Sequence, residues 1–574
     1  MFGMQRIITL LLILLSFPLL GQTGFYVDPV TGSDLNDGLT PATAWASIQK
    51  ACNSAVPNSV VYIKGGVYHE NIQVNVSGTN GNPITFTNLD ANPVIVDGTG
   101  TTGTSLLRIS NKSWLHFQNM AFRNLVRNNA RGIMVETTQN GYSRNISFTN
   151  ISIHGIRWTD QDDVVPATGQ NARGFAAVGR GNGIEYLSLV DCTIHDNVTG
   201  KSEALTLNGN IEDFLIEGCT VHDNTNIGIS LAGNYGICND PALDKARNGI
   251  VRGNTCYNNV SLLASSAGIY VDGGENIVIE RNSCYQNGTG ISVGCEKNGI
   301  TQFITVKNNL IYNNWGRGIA VGGYTLLTNG QVLFSTVRNN TLYQNNFENL
   351  FASEIHVSKA SNCVFEDNII YTGAQNIVMA VEAKFPQADN LFNFNCIYTP
   401  SGDADDINIY WHDLSFDNLE QFQQSLGQEL NTIFADPQCT ATSPAAGSSS
   451  QCINAGNPNL VVEAGELDFT GNPRLSGQAV DIGAFEINLL QSVDHFIGRK
   501  GLSPNPVSGS SVEAPLDLAD ASITMYDSSG RRVAQIRNVS GRIIRLPSLP
   551  DGIYVYHISQ GGNRILNGRL AFRQ

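Results

Sequence analysis

Asp191-Cys-Thr-Ile-His195-Asp-Asn197, Gly218-Cys-Thr-Val-His222-Asp-Asn224, Gly253-Asn-Thr-Cys-Tyr257-Asn-Asn259, Arg281-Asn-Ser-Cys-Tyr285-Gln-Asn287, Asn308-Asn-Leu-Ile-Tyr312-Asn-Asn314 and Asn339-Asn-Thr-Leu-Tyr343-Gln-Asn345 are six writings of one phrase. Its His or Tyr falls at positions 195, 222, 257, 285, 312, 343, 371 and 398. That spacing, about 27 to 35 residues, belongs to proteins built by stacking one supersecondary unit on the next. Each period adds a Gly-Ile-x-Val segment, as in Gly228 to Leu231, Gly268 to Val271, Gly290 to Val293 and Gly318 to Val321. It also adds an alternating segment, as in Phe214 to Ile216, Ile277 to Ile279 and Ile304 to Val306. Period-two alternation makes each a strand with one buried face. Three short strands per period, parted by Asn or Gly corners, describe an all-β coil of parallel sheets. Equivalent residues then stack at about 4.8 Å. Asn254, Asn282, Asn309, Asn340, Asn368 and Asn395 are expected to form one ladder of side-chain hydrogen bonds, and Asn197, Asn224, Asn259, Asn287, Asn314 and Asn345 a second. These ladders and the His195/His222/Tyr257 column are scaffold in this reading.

The 574-residue length suits such a coil, because no central core caps its growth. Only 14% of residues are charged while 41% are hydrophobic, which excludes a disordered chain. The net charge of -15 disfavours general attraction to nucleic acid or anionic membrane. Arg6, the apolar run Ile7 to Leu20, and then Gly21, Gln22 and Thr23 have the layout of a cleaved export signal over residues 1–22. No later run approaches the length of a membrane-spanning helix. The expectation is an exported monomer that reaches the cell surface or medium through the periplasm, with no nucleic-acid partner. Eleven cysteines leave at least one unpaired. Most read as small buried residues, Cys439 and Cys452 are the favoured disulfide, and no spacing resembles a zinc site.

The repeated phrase resembles the right-handed parallel β-helix proteins of the pectate-lyase-like superfamily. The likeness extends to the opening, Phe25-Tyr-Val-Asp-Pro through Asp34 and Gly38 to Trp45 and Lys50, which is similar to their capping helix and first coils. It extends to Leu467-Asp-Phe-Thr-Gly-Asn-Pro-Arg474 and Val480-Asp-Ile-Gly-Ala-Phe-Glu486 at the far end. The β-helix is placed at residues 23–490, followed by a linker at 491–501. Residues 502–574 resemble the C-terminal sorting domain of the Bacteroidetes type IX secretion system, a small antiparallel β-sandwich. Pro504-Asn505-Pro506, the Tyr526 to Val533 hairpin and the Leu549 to Ile558 strand carry that likeness. The ending, Gly568 to Gln574, departs from the usual Lys-rich strand. The resemblance implies passage through the type IX machinery and a polysaccharide partner. It specifies architecture more closely than reaction, since such coils serve lyases, hydrolases, epimerases and adhesins.

On the Gly-Ile-x-Val strands, one outward column runs Met134, Ala176, Thr206, Ser230, Tyr270, Ser292, Ala320, and the next Glu136, Val178, Asn208, Ala232, Asp272, Gly294, Gly322. Small residues make a floor from which Tyr270 and Asp272 stand out. Two long insertions flank it, an acidic one from Trp158 to Arg173 and a mixed one from Tyr235 to Arg247. Insertions held on a rigid scaffold are where sites concentrate. For β-elimination from a uronic-acid glycan, Lys245 is the candidate base and Arg247 its electrostatic partner. Asp240, Asp244 and Asp272 are a candidate Ca²⁺ set that would neutralise the substrate carboxylate instead. For hydrolysis, Glu203 and Asp272 are the carboxylate pair. Asn208, Asn234, Tyr270, Glu275 and Glu296 are expected to touch substrate. The first expectation is a polysaccharide-degrading enzyme, a lyase ahead of a hydrolase, and the alternative is a non-catalytic glycan-binding or adhesion coil. Asp240 and Asp244 would then cap the loop, and Asp272 would fix the Gly273-Gly274 turn. Asp34, Asn36 and Asp37 suggest either a second Ca²⁺ loop or an Asx turn.

Overall fold

The computed structural model describes residues 22–487, except 264–265, 324–329, 349, 383–388 and 441–442. Towards the C-terminus it describes residues 502, 507, 511–527, 531–560 and 563–572. Apart from Gln22, the expected export signal lies outside the described residues, as do the 491–501 linker, Pro504-Asn505-Pro506 and Gln574. The chain divides into two compact units, Met1–Ile487 and Asn488–Gln574.

The first unit is a parallel β-helix: its described strands join in one 38-stranded array in which strands pair in parallel with their counterparts a coil away, apart from the antiparallel pair Asn408–Trp411 and Leu414–Phe416. The groove sheet stacks Ala130–Glu136, the start of Ala172–Val190, Leu205–Glu212, Ile229–Ala232, Ala267–Asp272, Thr289–Cys295, Ile319–Gly323, Ile355–Val357 and Ile377–Val381. A second sheet stacks Ala246–Arg252, Glu275–Glu280 and Ile300–Lys307. A third stacks the repeated phrase, from Thr193–His195 to Cys396–Tyr398. Inward positions are apolar. Ile229, Ile269, Ile291, Ile319 and Ile355 are fully buried in one column. Each such side chain contributes about 1.5–3 kcal/mol by leaving water.

Both Asn ladders form. Asn197 through Asn345 link Nδ2 to Oδ1 at 2.7–3.2 Å, and Asn254 through Asn395 at 2.9–3.1 Å. Each ends on a buried glutamate, Glu354 and Glu429 respectively. Outside the third sheet, His154, His195, His222, Tyr257, Tyr285 and Tyr312 stack with ring centroids 4.6–5.0 Å apart.

The helix Ile48–Ser54 starts at the Ser47 cap and buries Ile48, Ala51 and Cys52 at the N-terminal end. Asp34 is a turn anchor. Its carboxylate accepts from the Ala46 and Ser47 N–H groups at 2.9 and 3.0 Å and from the Ser47 hydroxyl at 2.7 Å. At the far end, Arg474 is fully buried against Glu486 at 3.2 Å, and Glu466 receives Arg338 at 2.8 Å and Lys307 at 3.2 Å. All eleven cysteines are buried free thiols, which corrects the expected Cys439–Cys452 disulfide. No helix among the described residues is long and apolar enough to cross a membrane.

The second unit is a four-stranded antiparallel sheet in the order Arg532–Arg545, Ser511–Tyr526, Gly552–Gln560, Asn563–Phe572. It buries Ile523, Met525, Tyr556, Ile558 and Leu570.

Candidate functional site

Along the groove sheet runs a cavity of about 430 Å³. Its floor is the stretch of small residues Ser292, Gly294, Ala320 and Gly322, which side-chain alternation turns outward. Tyr270 and Glu296 stand at one end, and Arg317, His356 and Glu382 at the other. These last three also border the adjoining cavity of about 340 Å³, where Phe351 and Tyr410 pack with ring centroids 5.1 Å apart.

The first end is built around Asp272, which is only 3% exposed. Its Oδ1 accepts the Glu296 N–H at 2.7 Å, and its Oδ2 accepts the hydroxyl of Tyr235 from the overhanging loop. Burial and then the Glu296 carboxylate raise its pKa to about 7, against the pull of those two hydrogen bonds. The hydroxyls of Tyr235 and Tyr270 each lie 3.4 Å from a Glu296 oxygen. Burial, reinforced by the charges of Asp272 and Glu296, holds both phenols protonated far above their ordinary range. Tyr270 leans over the next coil: a Cβ on Gly294 would meet its hydroxyl at 3.1 Å, so that floor position is open because it is glycine.

At the second end His356 Nε2 lies 3.1 Å from Glu382 Oε1. Burial lowers the imidazole pKa, the Glu382 hydrogen bond pulls it back up, and the Arg317 charge lowers it further. The ring is therefore neutral at neutral pH. With Nε2–H donated to Glu382, the lone pair sits on Nδ1. Burial depresses the Arg317 pKa as well, with Glu382 opposing, and its Nε is buried with no hydrogen-bond partner among the described residues. A buried guanidinium N–H left without an acceptor is costly.

The structure divides the candidates named from sequence. Tyr270, Asp272 and Glu296 come together as above. Glu203 lies two coils back, 3.7 Å from Arg173, with its pKa raised chiefly by burial. Asn208 lines a separate cavity of about 190 Å³ and has a buried Oδ1 with no hydrogen-bond partner. Asn234 holds the Gly273 carbonyl at 3.4 Å. Lys245 and Arg247 stand apart from that cluster. Residues 246–252 open a strand of the second sheet, so Lys245 pairs with Glu275 at 3.0 Å. Arg247 binds Glu212 and, at 2.8 Å, Asn210. Neither cation lines the groove, and nor does Glu275.

The Ca²⁺ set does not assemble. Asp244 is spent on the N–H groups of Gly236, Ile237 and Cys238, and Asp240 on that of Ala242. Among the described residues no three metal-ligating side chains converge. Sequence reasoning missed Arg317, His356 and Glu382. The available signal was Glu354-Ile-His-Val357, which falls in register with Gly318-Ile-Ala-Val321 and puts an imidazole where the floor is otherwise small.

A family model described as the right handed beta helix region matches residues 238–332. Over 425 residues the chain is 31% identical to the uncharacterized protein YwoF of Bacillus subtilis (strain 168), covering 72% of this chain and 87% of that protein. The chain belongs to the YwoF family. Among solved structures, this YwoF relative is similar to pectate lyase Pel9A, at 17% identity and a TM-score of 0.42 over 81% of this chain and 96% of that one. It is also similar to the mannuronan C-5 epimerase AlgE4 A-module of Azotobacter vinelandii, at 13% identity and a TM-score of 0.38 over 59% and 85%.

Proposed function

We propose that the protein is an exported polysaccharide lyase that cleaves an acidic glycan by β-elimination in the groove between Tyr270 and His356. The observation that carries this reading is the pairing of a neutral, groove-lining imidazole with a guanidinium whose Nε lacks an acceptor.

The substrate carboxylate would occupy Arg317, which acidifies the adjacent ring proton and neutralises charge as the enolate develops. His356 Nδ1 takes that proton, with Glu382 orienting the ring and stabilising the imidazolium. The electron pair of the broken C–H bond forms the new ring double bond. The glycosidic C–O bond breaks, and its oxygen takes a proton from the Tyr270 hydroxyl. Tyr270 reaches over the Gly294 coil and His356 lies two coils beyond it, roughly 10 Å along the axis, with Arg317 between. The proton and the leaving oxygen sit on neighbouring carbons of one sugar, so the imidazole and the phenol have to lean toward each other across the Arg317 coil to serve both. Asp272 is a positioning residue that holds Tyr235 and the Glu296 backbone.

Hydrolysis by a carboxylate pair fits less well. The two groove-lining carboxylates, Glu296 and Glu382, are three coils apart, roughly 14 Å, beyond the roughly 9.5 Å limit of inverting pairs. Asp272 is close to Glu296 but has both oxygens occupied and does not line the cavity.

In the same reading the C-terminal unit directs export through the type IX machinery to the cell surface or medium. A panel of uronic-acid glycans tests the reaction. Absorbance of an unsaturated product rising in step with reducing ends is expected. Reducing ends without that absorbance would replace elimination by hydrolysis, and glycan retention without any product would leave a binding protein.

A further inference from the structure

The groove sheet carries a second feature, toward its N-terminal end. Arg108, Arg131, Arg173 and Arg180 line two adjoining cavities of about 190 and 350 Å³ that share Arg131, Met134 and Arg180. Among the described residues only two carboxylates pair with these four guanidinium groups. Glu136 takes Arg108 and, at 3.4 Å, Arg180, while Glu203 takes Arg173 at 3.7 Å. Arg131 has no ion-pair partner among the described residues; its NH1 donates to the Asn129 carbonyl at 3.2 Å. Burial and then repulsion from Arg173 lower its pKa, the Glu136 charge opposes them, and Arg108 and Arg180 add to the lowering. A local excess of two positive charges in a chain of net charge -15 is not explained by folding, since like charges held together cost stability. Beside them Asn208 lines the smaller cavity, and its buried Oδ1 has no hydrogen-bond partner among the described residues.

Register ties this cluster to the groove. Arg131, Arg173, Glu203, Ile227, Ala267, Thr289 and Arg317 occupy successive coils of one column. Arg131 and Arg317 are thus six coil steps apart, roughly 29 Å.

We infer that Arg131 and Arg173, with Asn208, form a distal subsite for an anionic sugar of the glycan chain whose cleaved unit sits at Arg317. This rests on the groove being a glycan site, though not on the reaction performed there. The subsite takes a carboxylate or a sulfate ester on a polysaccharide and makes the protein prefer long chains, because a fragment shorter than the 29 Å span, roughly, cannot reach both arginines.

The test uses the full chain carrying His356→Gln, so that binding is read without turnover. Dissociation constants are measured for polygalacturonate, dextran sulfate, neutral dextran and a galacturonic acid trisaccharide, with and without Arg131→Gln and Arg131→Gln/Arg173→Gln. Loss of a charge-assisted contact should weaken one anionic polymer by about tenfold or more. The trisaccharide affinity should stay put, and the polymer that responds identifies carboxylate or sulfate as the ligand. The melting temperature of the Arg131→Gln protein should not fall, since that residue has no ion pair to lose. Unchanged affinity for both anionic polymers, an equal loss for the trisaccharide, or an equal loss for dextran would overturn the subsite. Absence of unsaturated product from the wild-type chain would defeat the lyase reading while leaving this comparison intact.

Discussion

Replacing Asn287 by alanine removes one rung from the middle of a ladder, and the cost can be worked from its bonds. Asn287 is fully buried. Its Oδ1 accepts the Asn259 N–H at 3.1 Å and Asn259 Nδ2 at 2.9 Å. Its own Nδ2 donates to the Cys256 carbonyl at 2.9 Å and to Asn314 Oδ1 at 3.2 Å. Asn259 Nδ2 keeps the Val221 and Tyr257 carbonyls, and Asn314 Oδ1 keeps the Asn287 N–H, so neither is stranded. The Asn259 N–H loses this acceptor outright. Four bonds at about 1 kcal/mol each give a loss of about 4 kcal/mol, with the buried N–H setting the upper part of the range. Urea unfolding followed by circular dichroism of the strands reads it as a shift of the midpoint. A midpoint shift worth less than about 1 kcal/mol would refute the idea that the ladder is an energetic spine.

Three further outcomes follow from the same geometry. Lys245→Ala should keep most of the turnover, because its ammonium serves Glu275 outside the groove; a loss beyond about a hundredfold in kcat/KM would restore it as a candidate base. Stability should fall as pH rises from about 5 to 8 in thermal melts. Asp272 and Glu429, near 7, and Glu354, near 8, have folded-state pKa values above the unfolded carboxylate value, so folding binds protons that are lost across that window. A rise in melting temperature over it would contradict the burial assigned to these groups. Arg317→Met should shift the acidic limb of the kcat/KM profile upward and Glu382→Gln should shift it downward, because the first removes a charge that lowers the His356 pKa and the second a bond that raises it. Shifts of the same sign would break the proposed dyad.

The coil was legible because its period is written in buried Asn and apolar positions that tolerate little else. Stacking the Gly-Ile-x-Val strands also put Tyr270 and Asp272 on one face and Ser292, Gly294, Ala320 and Gly322 beside them. A corner takes Lys245 and Arg247 out of the groove. A loop that leaves the groove sheet at Gly233 re-enters the coil on the second sheet, and side chains two residues past such a corner answer to Glu212 and Glu275 rather than to Asp272. His356 escaped notice because its strand has Glu354 in place of the marking glycine, where the Asn ladder ends, so the written period fades just where this histidine stands.

The most direct test of the central claim is a proton NMR comparison of products made from a uronic-acid polymer by the wild-type protein and by His356→Gln. The wild type is expected to yield a vinylic proton on the new non-reducing end and the variant to yield none. Saturated ends from the wild type, or the same vinylic signal at an undiminished rate from His356→Gln, would contradict the account.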